Sequence, residues 1–277
     1  RVTVSVESHP GYRFRSWDGD LTGPFRSGVV PLVAPRVVRA LLDRVPYVAP
    51  AGVRNAAGET PEAGVAPGSI VAILGASLAT AYEPGPPNPL AQTIGGVTVR
   101  IGARLLPLLF VSPEQINALL PADLPEGEHT LTVKAGGQPE VSASFTAVRN
   151  APGLFLQVQD AFRFASALHE DGTPVTPASP ARRGELIAVF GTGFGPYLNP
   201  PPDGFPTPAR PEFPLLDRVE VLLGEALVEA QAAVAAPGQT GVVMTRFRVP
   251  EDTPAGAPGL RVRVGGRLSN TVPLPVE

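Results

Sequence analysis

The run Gly191-Thr-Gly-Phe-Gly-Pro196 follows the apolar stretch Glu185-Leu-Ile-Ala-Val-Phe190. A strand running into spaced glycines is the outline of a phosphate cradle, in which backbone N–H groups and a following helix dipole meet the anion. Here Pro196, Pro200, Pro201 and Pro202 come next, so no helix starts, and the Gly-Lys-Ser/Thr of a P-loop is absent. The glycines therefore read as a strand ending in a tight turn. Three histidines, His9, His129 and His169, show no pairing at i+2, i+3 or i+4, so their spacing offers no zinc site. Residue counting leaves a Ser-His-Asp triad open, but no Gly-x-Ser-x-Gly elbow occurs. His169-Glu-Asp-Gly172 reads as a β-turn. Asp18-Gly-Asp20 lacks the further ligands of a calcium loop. Glu251-Asp252 reads as a solvated turn beside prolines, and Lys134 as an exposed lysine rather than half of an isopeptide bond. No catalytic, cofactor-binding or metal-binding residue is assigned, and an enzyme is not expected.

Four positions stand out for contact rather than chemistry. Gln115 and Asn117 are two apart, so in a strand they share a face. Amides there suit hydrogen bonds to the backbone of a partner domain, the favoured role, or to a sugar. Phe110 belongs to Leu105-Leu-Pro-Leu-Leu-Phe-Val111, which is denser in apolar residues than one half-buried strand needs. That run suits a strand facing the core on one side and a neighbouring domain on the other. Trp17, the single tryptophan, anchors a thin N-terminal core. The proline-rich stretch 196–214 is the better place to expect a contact surface.

The elements that must position these residues are short. The 277 residues include 35 prolines and 30 glycines, where average usage gives roughly 14 prolines. Proline breaks helix interiors, so many short strands joined by turns are expected, as in sandwiches and barrels. Strands are expected at 69–74, 97–101, 105–111, 116–120, 129–135 and 141–148. The segment 215–236 has helical spacing of apolar residues, but the chain's internal duplication argues for a hairpin, since the counterpart at 97–111 carries β-type residues and a glycine at the turn, and Gly224 would also weaken a helix. Net charge is −3 without a basic cluster, which disfavours nucleic acid. The longest uncharged run, 63–82, contains Pro67 and three glycines and makes a poor membrane span. There are no cysteines, hence no disulfides.

Four blocks recur in the same order. Gly75 matches Gly191, an offset of 191 − 75 = 116; Val97–Gly102 matches Val219–Gly224; Leu120–Gly127 matches Val249–Gly256; Leu131–Gly137 matches Val262–Gly266. The last two have an offset of 129. The growing offset needs only loop insertions, so one domain is duplicated in tandem, each copy the size of an immunoglobulin-like sandwich. The expected architecture is all-β: a partial β-repeat over 1–48, a first sandwich over 49–150 and a second over 151–277, with Pro46–Pro50 as a short linker.

Residues 53–276 resemble the Solibacter-type C-terminal Ig-like domain of large secreted acidobacterial proteins. The resemblance runs through Arg54-Asn-Ala-Ala57, Ala66-Pro-Gly-Ser-Ile-Val71, Val111-Ser-Pro-Glu-Gln-Ile-Asn117, Ala151-Pro-Gly-Leu-Phe155, Pro180-Ala-Arg-Arg-Gly184, Gly191–Pro196 and Ser269-Asn270. One departure is clear: where the second half of that family carries Gln-x-Asn, this chain has Met244-Thr-Arg-Phe-Arg-Val-Pro250. Residues 1–44 resemble the divergent internalin-B-type bacterial repeat through Gly11-Tyr-Arg-Phe14, Trp17–Asp20 and Ala34–Ala40; a further hairpin precedes this part in that family, so the chain is expected to begin inside a repeat. The resemblances imply an extracellular or cell-surface bacterial location and a non-catalytic structural or adhesive module. The alternatives are a subunit of an extracellular filament joined by strand addition and a carbohydrate-binding accessory of a secreted enzyme. The expected partners are other domains of the same protein, neighbouring subunits or a glycan.

Overall fold

The computed structural model describes residues 1–58 and 64–277; Ala63, which opens the longest uncharged run, lies outside them. The chain is all-β: two tandem immunoglobulin-like sandwiches behind a small N-terminal β-module. No helix is long and apolar enough to cross a membrane.

In the N-terminal module Val2–Ser5 pairs with Ser27–Val30, and Tyr12–Gly19 with Val38–Arg44. Trp17 sits between them. Its ring packs against Phe14 at 5.3 Å between centroids, and its indole N–H donates to the Phe25 carbonyl at 2.8 Å. A buried tryptophan needs that acceptor. The Asp18–Asp20 turn is neutralised by arginine. Asp20 accepts from the Val37 N–H at 2.7 Å and pairs with Arg36 at 2.8 Å, which together hold its carboxyl below the usual range.

The first sandwich sets a five-stranded sheet, in the order Tyr47–Asn55, Ile70–Ala76, Gln115–Leu119, Leu108–Val111 and Glu83–Pro84, against a four-stranded one, Val141–Ala147, Gly127–Ala135, Val97–Ile101 and Arg104–Leu105. Residues 47–50 of the expected linker Pro46–Pro50 belong to the first of these strands, pairing Tyr47 with Ala76 and Val48 with Gly75. Proline is tolerated because this strand is an edge and its ladder is interrupted between Val48 and Val53. The expected strand 105–111 is broken around Pro107 into two pieces that serve different sheets.

The second sandwich repeats the plan. One sheet runs Gly153–Leu154, Leu186–Thr192, Val243–Arg248, Ala232–Ala235; the other runs Ala226–Glu229, Val219–Leu223, Gly259–Val264, Arg267–Leu268. The segment with helical spacing is a hairpin turning at Gly224, whose φ of +59° suits a glycine. Each sandwich closes over its own core, one including Val71, Ile73, Ile116 and Leu131, the other Ile187, Val189, Val221 and Phe247. Inner residues alternate with outward ones along strands such as Val219–Leu223 and Gly259–Val264, as two-layer packing requires.

Candidate functional site: the joint and the open sheet face

A third apolar cluster lies between the sandwiches. Ile70 and Leu119, on the outer face of the first five-stranded sheet, pack with Phe190, Val234, Val242 and Met244 of the second sandwich. The glycine run is the polar half of this joint. Asn55 is buried; its Nδ2 donates to the carbonyls of Ala151 at 2.6 Å and Thr192 at 3.0 Å, while its Oδ1 accepts from Ala57 and Gly58. The Thr192 hydroxyl accepts from the Ile70 N–H at 3.0 Å and donates to the Gly241 carbonyl at 2.6 Å. Asn150 donates to the Phe194 carbonyl and to Asp217, both at 2.9 Å. Gly193 has φ +80°, and a Cβ there would run into the Ala151 carbonyl and the Asn55 amide. The turn read from sequence is thus a corner over which the inter-sandwich chain passes, and its glycines let that chain approach.

Two further ties brace the joint. Arg149 grips Asp217 through Nε at 2.9 Å and Nη2 at 2.8 Å, which holds that carboxyl below the usual range. The proline-rich loop folds back over the first sandwich. Leu90 N–H donates to the Gly204 carbonyl at 2.7 Å, and Arg104 pairs with Asp203 at 2.8 Å. Burial pushes the Asp203 carboxyl up, and Arg104 opposes it. The contact surface expected of residues 196–214 is therefore occupied, at least in part, by the neighbouring sandwich.

Beyond the joint the same sheet face stays open. Asn117 is directly opposite Phe110 on one side and Ala72 on the other, and Ala72 is opposite Arg54. Phe110 meets Tyr82 at 5.6 Å between ring centroids. Gln115 donates from Nε2 to Asn117 Oδ1 at 2.8 Å. The amides therefore bond each other, and among the described residues neither side chain bonds to backbone of the second sandwich. Gln115, Asn117 and Phe110 come together on one face; Trp17 lies apart, inside the N-terminal module. Where this face dips towards the second sandwich there is a cleft of about 440 Å³ lined by Asn117, Leu109, Phe155, Gln157, Ser166 and Phe190, among others.

A second concavity of about 400 Å³ surrounds His169. Its Nδ1 lies 2.7 Å from Glu185 Oε1, and its Nε2 lies 3.1 Å from the Ser179 carbonyl and 3.3 Å from the Ser179 hydroxyl. Carboxylate, imidazole and hydroxyl have the order of a nucleophilic triad. The nearer partner of Nε2 is a carbonyl oxygen, which accepts and cannot surrender a proton, so the imidazole clamps two turns together. Glu185 completes the clamp by accepting from the Arg182 N–H at 2.8 Å. His169–Gly172 is the turn read from sequence, closed by Gly172 N–H to the His169 carbonyl. Among the described residues no three His, Asp or Glu side chains group as metal ligands.

Asn55 and Asn150 escaped the sequence reading although a signal exists: Val53-Arg-Asn-Ala56 recurs as Val148-Arg-Asn-Ala151. Phe155 and Gln157 had none, because the hairpin Leu156–Gln159/Phe162–Ala165 reaches the cleft only through tertiary packing.

No family model matches the chain. No characterised protein matches it in sequence. Among solved structures it is similar to SGBP-B of the mixed-linkage glucan utilization locus of Bacteroides ovatus, in complex with a mixed-linkage heptasaccharide, at 10% identity and TM-score 0.33, over 100% of this chain and 63% of that one. SGBP-B from a complex xyloglucan utilization locus in Bacteroides uniformis matches at 14% identity and TM-score 0.27, over 83% and 49%. The BSP domain of a biofilm associated protein matches at 13% identity and TM-score 0.25, over 75% and 27%. The chain spans less than two-thirds of each of these proteins. At scores this low, the fold above rests on this chain's own sheets and cores.

Proposed function

We propose that the chain is a non-catalytic structural and adhesive module of a bacterial protein working at the cell surface or beyond it. The observation that carries this reading is the joint. An apolar cluster, the Asn55 and Asn150 amides, and the Arg149–Asp217 pair hold two sandwiches in one fixed relation, whereas domains in a chain otherwise move by default. A spacer that presents a surface at a distance needs that stiffness. The sequence resemblance to secreted acidobacterial domains supports the location. Small-angle scattering tests the reading: one fixed particle shape across temperature is expected, and a curve that requires a hinge between the sandwiches overturns it.

A second reading, subunit of a filament made by strand addition, has its own support. Half of the exposed large apolar side chains among the described residues lie in the first 42, including Phe25 at 77% and Val33 at 82% exposure. The two-stranded sheets there leave edges for another strand. The occupant on this reading is a second copy of the chain. Growth of particle size with concentration is expected; a strict monomer at every concentration removes it.

A further inference from the structure

We propose that the cleft between Asn117 of the first sandwich and Phe155, Gln157 and Phe190 of the second is a binding site for a neutral saccharide. The inference rests on the adhesive half of the reading above and gives it a ligand class and a place.

The lining decides the class. A cleft of about 440 Å³ falls in the usual range for small-molecule sites, about 300–1,000 Å³. Every polar side chain on its wall is uncharged: Asn117, Gln157, Ser166 and Gln239. A phosphate, sulfate or carboxylate entering it would lose water without gaining a counter-charge. Planar amides and a hydroxyl offer donors and acceptors side by side, as a ring of hydroxyl groups requires. The half-buried Phe155 ring supplies an apolar face for the C–H side of such a ring, with the buried Phe190 beneath it as the floor.

The amides also keep unused hydrogen-bonding groups. Asn117 lines the cleft and its Oδ1 is engaged by Gln115 Nε2 at 2.8 Å, so its Nδ2 donors are left without a partner among the described residues. Gln157 Nε2 leans on Ser166 Oγ at 3.4 Å, leaving Gln157 Oε1 to accept and the Ser166 hydroxyl to donate. Just beyond, on the row of Asn117, Phe110 and the exposed Tyr82 extend an aromatic platform for a longer chain.

The duplication predicts stoichiometry. With the offset of 129, Gln115 and Asn117 correspond to Met244 and Arg246. Met244 is buried in the joint and Arg246 carries charge, so the second sandwich lacks the amide pair and one site per chain is expected.

The test titrates the full chain calorimetrically with cello-, xylo-, manno-, malto- and chito-tetraose, and with tetragalacturonate as the acidic control. Millimolar or tighter binding of at least one neutral probe, with one site per chain, is expected. Asn117→Ala, Gln157→Ala and Phe155→Ala should each weaken it by about tenfold or more, with unfolding temperature measured alongside. Lys134→Ala, on the far sheet, should leave it unchanged. No binding by any neutral probe, a preference for the uronate, or affinity indifferent to both Asn117→Ala and Gln157→Ala overturns the proposal. A rigid particle that binds nothing sinks this inference alone, while a hinged particle that binds sinks only the spacer reading.

Discussion

The two sandwiches share one topology and put the same sheet face to opposite uses. In the first, Leu74 lies opposite Gln115 on the outer face of the five-stranded sheet, and both border open space. At the matching positions of the second, Phe190 lies opposite Met244, and both are buried in the joint. The corner after the strand differs in the same sense. Ser77 of the first copy has φ +55° with no crossing chain to exclude its side chain, and its counterpart, Gly193, has φ +80° under the Ala151 carbonyl. The duplicated fold sets strand order and core in both copies. Neighbours decide which outward residues become glue and which stay available.

That contrast is open to attack, most strongly at its centre. Phe190→Ala should destabilise the protein by about 3–5 kcal/mol, because the joint cannot collapse onto the void. Leu74→Ala, at the matching half-buried site outside the joint, should cost less, about 1 kcal/mol. Urea unfolding of the two variants measures both, and equal losses would erase the distinction. Asn55→Ala takes the amide from the Ala151 and Thr192 carbonyls and the acceptor from the Ala57 N–H and should cost about 2–3 kcal/mol, with a second unfolding transition as the sandwiches uncouple. At the corner, Gly193→Ser should cost about 1–3 kcal/mol through backbone strain and the close carbonyl. The reverse change in the first copy, Ser77→Gly, should leave thermal stability within about 1 kcal/mol of the parent.

Acid should loosen the joint. The Asp217 carboxyl is held below its ordinary value, chiefly by Arg149. A group depressed in the folded state adds stability that is fully present above its unfolded value, about 3.9, and is lost as pH falls through the folded value. The unfolding temperature should therefore drop more steeply below about pH 4 in the parent than in Asp217→Asn; parallel curves would remove Asp217 from the joint. The smallest effect concerns the inner face. The Thr245 hydroxyl is buried without a partner among the described residues, where the first copy has Ile116. Thr245→Val should stabilise by about 1 kcal/mol, read as a rise in urea midpoint.

Much of the architecture was legible because it is local. Proline and glycine density, period-two runs such as Val97–Ile101, and four recurring blocks pointed to an all-β duplicated chain. The repeat of 97–111 outweighed the helical spacing of 215–236, because the counterpart carries β-type residues and a glycine where Gly224 stands. The linker expected at Pro46–Pro50 failed for an equally physical reason: proline ends helices and inner strands but not an edge strand. The shared face of Gln115 and Asn117 followed from the two-residue repeat of a strand. Their mutual hydrogen bond did not, because it depends on the rotamers the two side chains take on that face.

Sequence alone thus determined that this protein is built of short strands, that its halves repeat, and that one half carries an amide pair where the other has Met244 and Arg246. Those are properties of residue type and spacing along one strand. Tertiary structure alone decided that Gly191–Gly195 is the corner of a joint, that Asn55 and Asn150 fasten it, and that Phe155 and Gln157 stand across a cleft from Asn117. These facts depend on contacts between residues tens of positions or more apart, set by how two finished sandwiches pack, and no local spacing records that distance.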